Sequence, residues 1–137
     1  MGILNSRPDT DVTSSPEYNF TTFAGTVWKT KVKVGLADIT SYKGRHEITL
    51  GAPESFDEAD TKYTKLIDVL PVGTRLRIER LMQDNGSLGG VQVTASLEDG
   101  KVVYVLRELL AKNRFISPGW SDSRNWGMNP DMFEKAE

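Results

Sequence analysis

The stretch that decides the fold is PVGTRLRIERLMQDNGSLGGVQVTASLEDGKVVYVL, residues 71–106. It holds two segments in which apolar and polar side chains alternate, a period of two that is typical of strands with one buried face, and a third segment, 102–106, that is apolar. The first segment follows the turn sequence Pro-Val-Gly-Thr at 71–74, and Asp99-Gly100 separates the other two. An Asp-Gly pair between alternating runs is a strong hairpin signal. The stretch therefore predicts a hairpin and a further strand within a mostly β domain.

The pairing within this hairpin decides which side chains need cover. We expect Asp99-Gly100 to be the two central residues of the turn, so that Ala95 lies opposite Tyr104. Val103 and Val105 then fall on the second face of the hairpin. Because strand 102–106 is apolar on both sides, that face needs cover from the C-terminal tail, the N-terminal arm or a partner protein. Val103 and Val105 are therefore candidate exposed-face residues.

Length and composition indicate one soluble domain. The chain has 137 residues, 38% of them hydrophobic and 26% charged, with a formal net charge of −2. This balance is that of an ordinary globular protein, and it gives nucleic acid no global positive field. The absence of cysteine excludes disulfides, thiolate nucleophiles and cysteine metal sites. No cofactor and no metal site is predicted.

The chain divides into three parts by composition. Residues 1–18 are rich in Ser, Thr, Asp and Pro and predict a flexible N-terminal arm, residues 19–116 predict a β-barrel domain, and residues 117–137 predict a C-terminal extension packing on the barrel. No segment is long enough for a transmembrane helix. An arm of this kind suits the segment after a removed export signal, which gives a periplasmic or cell-envelope location. A disordered native terminus is the alternative, and it gives a cytoplasmic location.

Several further elements follow from alternation and turn residues. Residues 28–36 predict one long half-buried strand and residues 45–50 a second strand. Residues 52–70 combine a capping-box pattern with good strand propensity, and we expect a short helical turn followed by a strand. In the extension, Asn129-Pro130-Asp131 predicts the start of a short helix.

A family resemblance appears in the second half of the chain. Leu70–Ile78, Val91–Leu97, Asp99-Gly100 and Val102–Leu110 together resemble the second half of a bacterial SH3-like domain. That family is a five-stranded barrel with binding roles in the cell envelope. The resemblance implies an all-β fold, a small SH3-like, partly open barrel with short helical turns and a C-terminal extension. An OB-like barrel or an α+β roll is the alternative.

Two groups of side chains are candidates for ligand or partner binding. The first is a basic strip on two predicted strands, which could meet phosphates, anionic polysaccharide or an acidic protein if the strands are neighbours. Its alternative is a solvated face that guards a sheet edge. The second is a pair of tryptophans that could stack on sugars or hold a partner, or cover the open side of the barrel. The candidates are Lys29, Lys31, Lys33, Arg75, Arg77, Trp120 and Trp126.

The evidence for catalysis is slight. His46 is the only histidine, and a lone histidine in a strand is more often packed or hydrogen-bonded than a base. The sequence therefore predicts a non-catalytic binding or protein-interaction module associated with the cell envelope, with a protein or cell-wall component as partner. A small-barrel nucleic-acid binder and a carboxylate-dependent hydrolase are the alternatives.

Overall fold

The protein is described by a computed structural model that covers residues 9–40, 44–57, 62–83, 90–111 and 126–136. Strands dominate these ranges, the one α-helix is a single short turn, and two 3-10 turns span Phe20–Thr22 and Arg107–Leu109. The all-β prediction is confirmed. The elements are β1 (Thr10–Asp11), β2 (Val27–Thr30), β3 (Val34–Thr40), β4 (His46–Gly51), α1 (Pro53–Asp57), β5 (Thr64–Leu70), β6 (Arg75–Gln83), β7 (Val91–Leu97), β8 (Val102–Val105) and β9 (Phe133–Lys135).

The strands form one curled sheet that is not closed by hydrogen bonds. Their order is β5-β3-β4-β8-β7-β6-β2-β9, and β1 adds to β6 beside this path. Among the described pairs, β4 with β8 is parallel and the rest are antiparallel. The short turn of α1 followed by β5 agrees with the expectation for residues 52–70. No helix in the described ranges has the length and apolar composition needed to cross a membrane.

The sheet curls because two strands bend at the same corner. Lys29 pairs with Arg75 and Val34 pairs with Leu70, so one register continues from β2/β6 into β3/β5. Buried Thr30 stabilises this corner through its hydroxyl group. The hydroxyl oxygen accepts hydrogen bonds from the amides of residues 73 and 74 at 3.0 Å, and the hydroxyl donates to the carbonyl of residue 71 at 3.1 Å. The single strand predicted over 28–36 is corrected accordingly. Residues 31–33 are a bend, because the chain passes there from one end of the sheet order to the other.

The β7–β8 hairpin differs from its prediction by one residue of register. Ala95 pairs with Val103 and not with Tyr104, and the amide of Leu97 donates to the carbonyl of Lys101 at 2.9 Å. The loop therefore has three residues, 98–100, and ends on Gly100 at a φ of 88°. A glycine with positive φ at the end of a three-residue loop is a common hairpin connection.

This shift corrects the placement of the two candidate exposed-face valines. Because side chains alternate along a strand, a slip of one residue moves every side chain to the other face. Val103 is 1% exposed and Val105 is 7% exposed, and both belong to the main hydrophobic core. Val102 takes the outward position instead and is 59% exposed. The face that holds Val103 and Val105 therefore needs no partner protein.

Both ends of the described chain close the core. Residues 9–18, expected to belong to a flexible arm, pair with β6 through β1 and end on buried Tyr18. Residues 126–136 of the predicted extension bring Trp126 against Phe20 and place β9 on β2. The helix predicted from Asn129 is corrected. The Asn129 carbonyl accepts from the amides of residues 132 and 133, one turn only, after which buried Phe133 joins the sheet edge.

Candidate interaction surface

The basic strip predicted from the sequence is partly assembled on the outer face of β2 and β6. Lys29 lies directly opposite Arg75, and Arg77 lies on the same strand as Arg75 with Val27 opposite. The two strands are therefore neighbours, which is the condition that the basic strip required. Lys31 and Lys33 lie apart from them in the corner segment, where the Lys31 ammonium donates to the carbonyl of Pro130 at 2.9 Å.

Acidic side chains interrupt this strip on both sides. Lys29 Nζ lies 3.9 Å from Glu134 Oε1 on β9, and Glu98 Oε1 accepts from the backbone amide of Arg75 at 3.2 Å. One row across the outer face thus reads Glu134, Lys29, Arg75 and Glu98. Alternating signs in neighbouring positions weaken the local positive potential that would attract a polyanion.

A shallow depression of about 300 Å³ borders the strip. Arg75, Arg77 and Glu98 form its polar walls, and its other lining residues are Val27, Leu76, Ser96 and Leu97. The Ser96 hydroxyl donates to Glu79 Oε2 at 2.7 Å. The depression combines both charge signs with apolar side chains, a composition that fits a protein contact better than a phosphate site.

Trp126 is engaged inside the protein. Its indole nitrogen donates to the carbonyl of Tyr18 at 2.7 Å, and its ring centroid lies 4.9 Å from that of Phe20, edge to face, and 6.0 Å from that of Phe23, stacked. These contacts match the alternative in which the tryptophan covers the barrel. Trp120, the other aromatic candidate, lies outside the described residues.

His46 lies at the beginning of β4 and is largely exposed. Its Nδ1 lies 3.0 Å from Asp38 Oδ1 on β3. A Ser-His-Asp arrangement would also need a hydroxyl on the other ring nitrogen. Within the described ranges no serine or threonine hydroxyl makes a hydrogen bond to this ring, and no group of three or more His, Asp or Glu side chains could hold a metal ion.

Three groups at or near the N-terminal segment have shifted pKa values. Hydrogen bonds from Thr13, side chain and backbone, and the charge of Arg80 hold the pKa of Asp11 below 3.8. Burial raises the pKa of Tyr18. Burial alone would lower the pKa of Arg45, and the carboxylate of Asp9 offsets this, so that the pKa of Arg45 lies above its ordinary value. These charges attach residues 9–18 to the sheet.

A carboxylate that sequence reasoning missed secures α1. Glu108 accepts the amide of Ala52 at 2.6 Å and the hydroxyl of Ser55 at 2.7 Å. These contacts join residues that are more than fifty positions apart in the chain, and no local pattern marks them. Both carboxylate oxygens of Glu108 accept hydrogen bonds at the beginning of α1. We therefore assign Glu108 a structural role, which is to hold α1 in place.

Exposed apolar side chains are concentrated along β5 in the described part of the chain. Among the described residues, six large hydrophobic side chains are at least a third exposed, and four of them lie between positions 63 and 72. They are Tyr63 at 49%, Ile67 at 45%, Val69 at 42% and Val72 at 60%. Of the described strands, only β3 pairs with β5, which therefore ends the sheet. We call these four side chains and strand Thr64–Leu70 the β5 edge.

Irregular pairing shapes the backbone of this edge. Leu36 pairs with Asp68 while the next residue, Ala37, pairs with Leu66, so Ile67 is an extra residue in a β-bulge. The amide of Val69 donates to Asp68 Oδ1 at 2.8 Å. This amide is held by a side chain of its own strand. Like β9 at the other end of the strand order, β5 has an edge that no described strand covers.

Comparison of the chain with known protein families, with curated proteins and with solved structures found no match. The resemblance to SH3-like domains stays a prediction.

Proposed function

We propose that the protein is a non-catalytic protein-interaction module that binds an extended segment of a partner along the β5 edge. The observation that carries this proposal is the coincidence of a strand paired on one side only with four exposed apolar side chains. An extended segment that adds to a sheet edge gains main-chain hydrogen bonds, and side chains on the edge give specificity.

The exposed apolar side chains support this choice because they are concentrated at one edge of the sheet and because most proteins protect such edges. Sheet edges are usually blunted by lysines, prolines or bulges. The β5 edge has a bulge at Ile67 and one lysine, Lys65, yet it keeps Ile67 and Val69 exposed. Clustered exposed apolar side chains of this kind mark interaction sites more often than scattered single ones do.

The in-register pair of Lys29 and Arg75 favours a second candidate, binding of nucleic acid or another polyanion. Against it stand the acids Glu134 and Glu98 in the same row and the position of Trp28, whose ring contacts Phe23 on the other face. Stacking of bases needs an aromatic side chain beside the cations. The periplasmic or cell-envelope location stays a prediction, and the proposal applies in either compartment.

A library of displayed random peptides tests the proposal without a known partner. Peptides selected on the wild-type protein are synthesised, and their affinity is measured for the wild type, for Val69→Lys and for Val102→Lys. Val102 is the matched control because it is an equally apolar strand residue, 59% exposed, outside the β5 edge.

We expect selected peptides with alternating apolar residues, weakened about tenfold or more by Val69→Lys and within about twofold of the wild type for Val102→Lys. Peptides that bind both variants equally well, or a selection that yields only acidic peptides sensitive to Arg77→Glu, would overturn the β5 edge as the binding site.

A further inference from the structure

The charges of β5 are arranged so that the strand is complementary to itself. Through β3, Lys65 aligns with Ile48 of β4 and Asp68 aligns with Leu50. Ile48 and Leu50 lie two positions apart on one strand and share a face of the sheet. Lys65 and Asp68 therefore share that face although they are three positions apart in the chain, because the bulge at Ile67 takes up the extra residue.

The opposite face of β5 carries two apolar side chains. By the same alignment, Leu66 lies on the face of Thr49 and Val69 on the face of Gly51. Val69 is exposed on this face and Leu66 is half-buried. The strand thus presents Lys65 and Asp68 on one face, together with Leu70, and Leu66 and Val69 on the other, together with Thr64.

We infer that the β5 edge pairs antiparallel with the β5 edge of a second copy of this chain, with Lys65 opposite Asp68 of the second copy. This inference rests on the proposed function and names the partner of that site. A two-fold axis that places residue 65 opposite 68 necessarily places 68 opposite 65. The same register sets Leu66 opposite Ile67, so two apolar residues are paired next to the axis.

The backbone groups agree with this register. The carbonyl of Tyr63 accepts from the amide of Thr40 at 2.7 Å and so points toward β3. Because the backbone groups of successive residues in a strand point to opposite sides, the amide and carbonyl of Thr64 point away from β3. The amide of Val69 donates to the Asp68 carboxylate within its own strand. In the register proposed, Val69 lies opposite Thr64 of the second copy. The backbone amide of each residue can then donate to the backbone carbonyl of the other.

The two charged groups are free to change partners. Neither Lys65 nor Asp68 forms an ion pair with another residue in the described ranges. In the single chain Asp68 caps the Val69 amide, and in the pair it turns to Lys65 of the second copy while Thr64 of that copy takes over the amide. Opposite charges in directly facing positions stabilise paired strands, and like charges destabilise them.

Charge reversal tests the inference on the full chain. Dissociation constants are measured by sedimentation equilibrium for the wild type, Lys65→Asp, Asp68→Lys, the double reversal and an equimolar mixture of the two single variants. We expect a wild-type dimer weakened about tenfold or more in each single variant, and restored to within about threefold in the double variant. The mixture restores both charge pairs and forms a heterodimer. Circular dichroism confirms that each variant is folded, as expected for exposed positions.

The outcomes separate this inference from the proposed function. A wild-type protein that stays monomeric at about 1 mM overturns the self-pairing. A double variant that dimerises as weakly as the single variants also overturns it. Peptide binding is measured on the wild type at a concentration well below its dimer dissociation constant, where the β5 edge is unpaired. A peptide that still binds there, sensitive to Val69→Lys, leaves the proposed function standing when self-pairing fails. A dimer that forms while no selected peptide depends on Val69 overturns the proposed binding of a partner segment and leaves the self-pairing standing.

Discussion

Gly35 on β3 lies directly opposite Gly51 on β4, and the ring of Phe56 rests on this pair. A Cβ added at Gly35 would lie 3.0 Å from Phe56 Cδ2, and one added at Gly51 would lie 2.9 Å from Phe56 Cζ. The two glycines therefore form a flat floor that lets α1 pack against the outer face of the sheet. This packing fixes α1 against β3 and β4.

Gly51→Ala tests this floor. The new methyl group would also lie 2.6 Å from a methyl carbon of Leu106, so the side chains or the backbone must shift. We expect a loss of about 1–3 kcal/mol in the free energy of unfolding, the usual cost of overpacking. Gly90→Ala is the matched control, because a Cβ there meets nothing within 4 Å. Equal stability of the two variants in urea unfolding would contradict the account.

The hydroxyl of Thr30 is predicted to hold the corner of the sheet. Thr30→Val removes the acceptor for the amides of residues 73 and 74 in a buried site. We expect the free energy of unfolding, measured in urea, to fall by about 1–3 kcal/mol, because the two buried amides lose their hydrogen-bond acceptor. Thr22→Val, which removes an exposed hydroxyl bonded to the carbonyl of Asn19, changes stability by less than about 0.5 kcal/mol. A Thr30 variant no less stable than the Thr22 variant would refute the role of the corner.

The contact between Ser55 and Glu108 is predicted to secure α1. A double-mutant cycle with Ser55→Ala and Glu108→Ala measures it, and we expect a coupling of about 1 kcal/mol because each variant alone removes the same hydrogen bonds. Additive effects in the cycle would show that the two side chains act independently.

Stability at low pH is predicted to depend on Asp11. Because the folded chain lowers the pKa of this carboxyl below 3.8, its stabilising effect is fully present above that value and is lost as the pH falls through the folded pKa. Asp11→Asn removes this dependence. Unfolding measured between pH 5 and pH 2 is expected to show a shallower loss of stability for Asp11→Asn than for the wild type, and parallel curves would count against the role of Asp11.

The sequence predicts where the strands lie better than it predicts which side chains of each strand face the core. Alternation correctly marks β4, β7 and β8, because one face of each meets the core. The pair Asp99-Gly100 fits both a two-residue and a three-residue loop, and the difference of one residue reverses the faces of β8. Glu98 belongs to the loop, and its charge offers no local sign of that.

Two other features depend on tertiary structure. The alternation of Trp28 to Leu36 continues through the bend at 31–33, so nothing local predicts the corner that Thr30 stabilises. Apolar residues occur at both parities in β5, so the pattern gives no sign of an exposed edge. Ile67 and Val69 are exposed because β5 ends the sheet and carries a bulge at Ile67. The basic strip was predictable from alternation, while the acids facing it come from distant parts of the chain.

Amide hydrogen exchange, measured residue by residue with and without a selected peptide on the wild type below its dimer dissociation constant, tests the central claim most directly. If the β5 edge binds an extended segment, the amides of Ile67 and Val69 become protected in the complex while those of β2 and β7 are unchanged. Protection that appears at Lys29 and Arg75 instead, with β5 unchanged, would contradict the account.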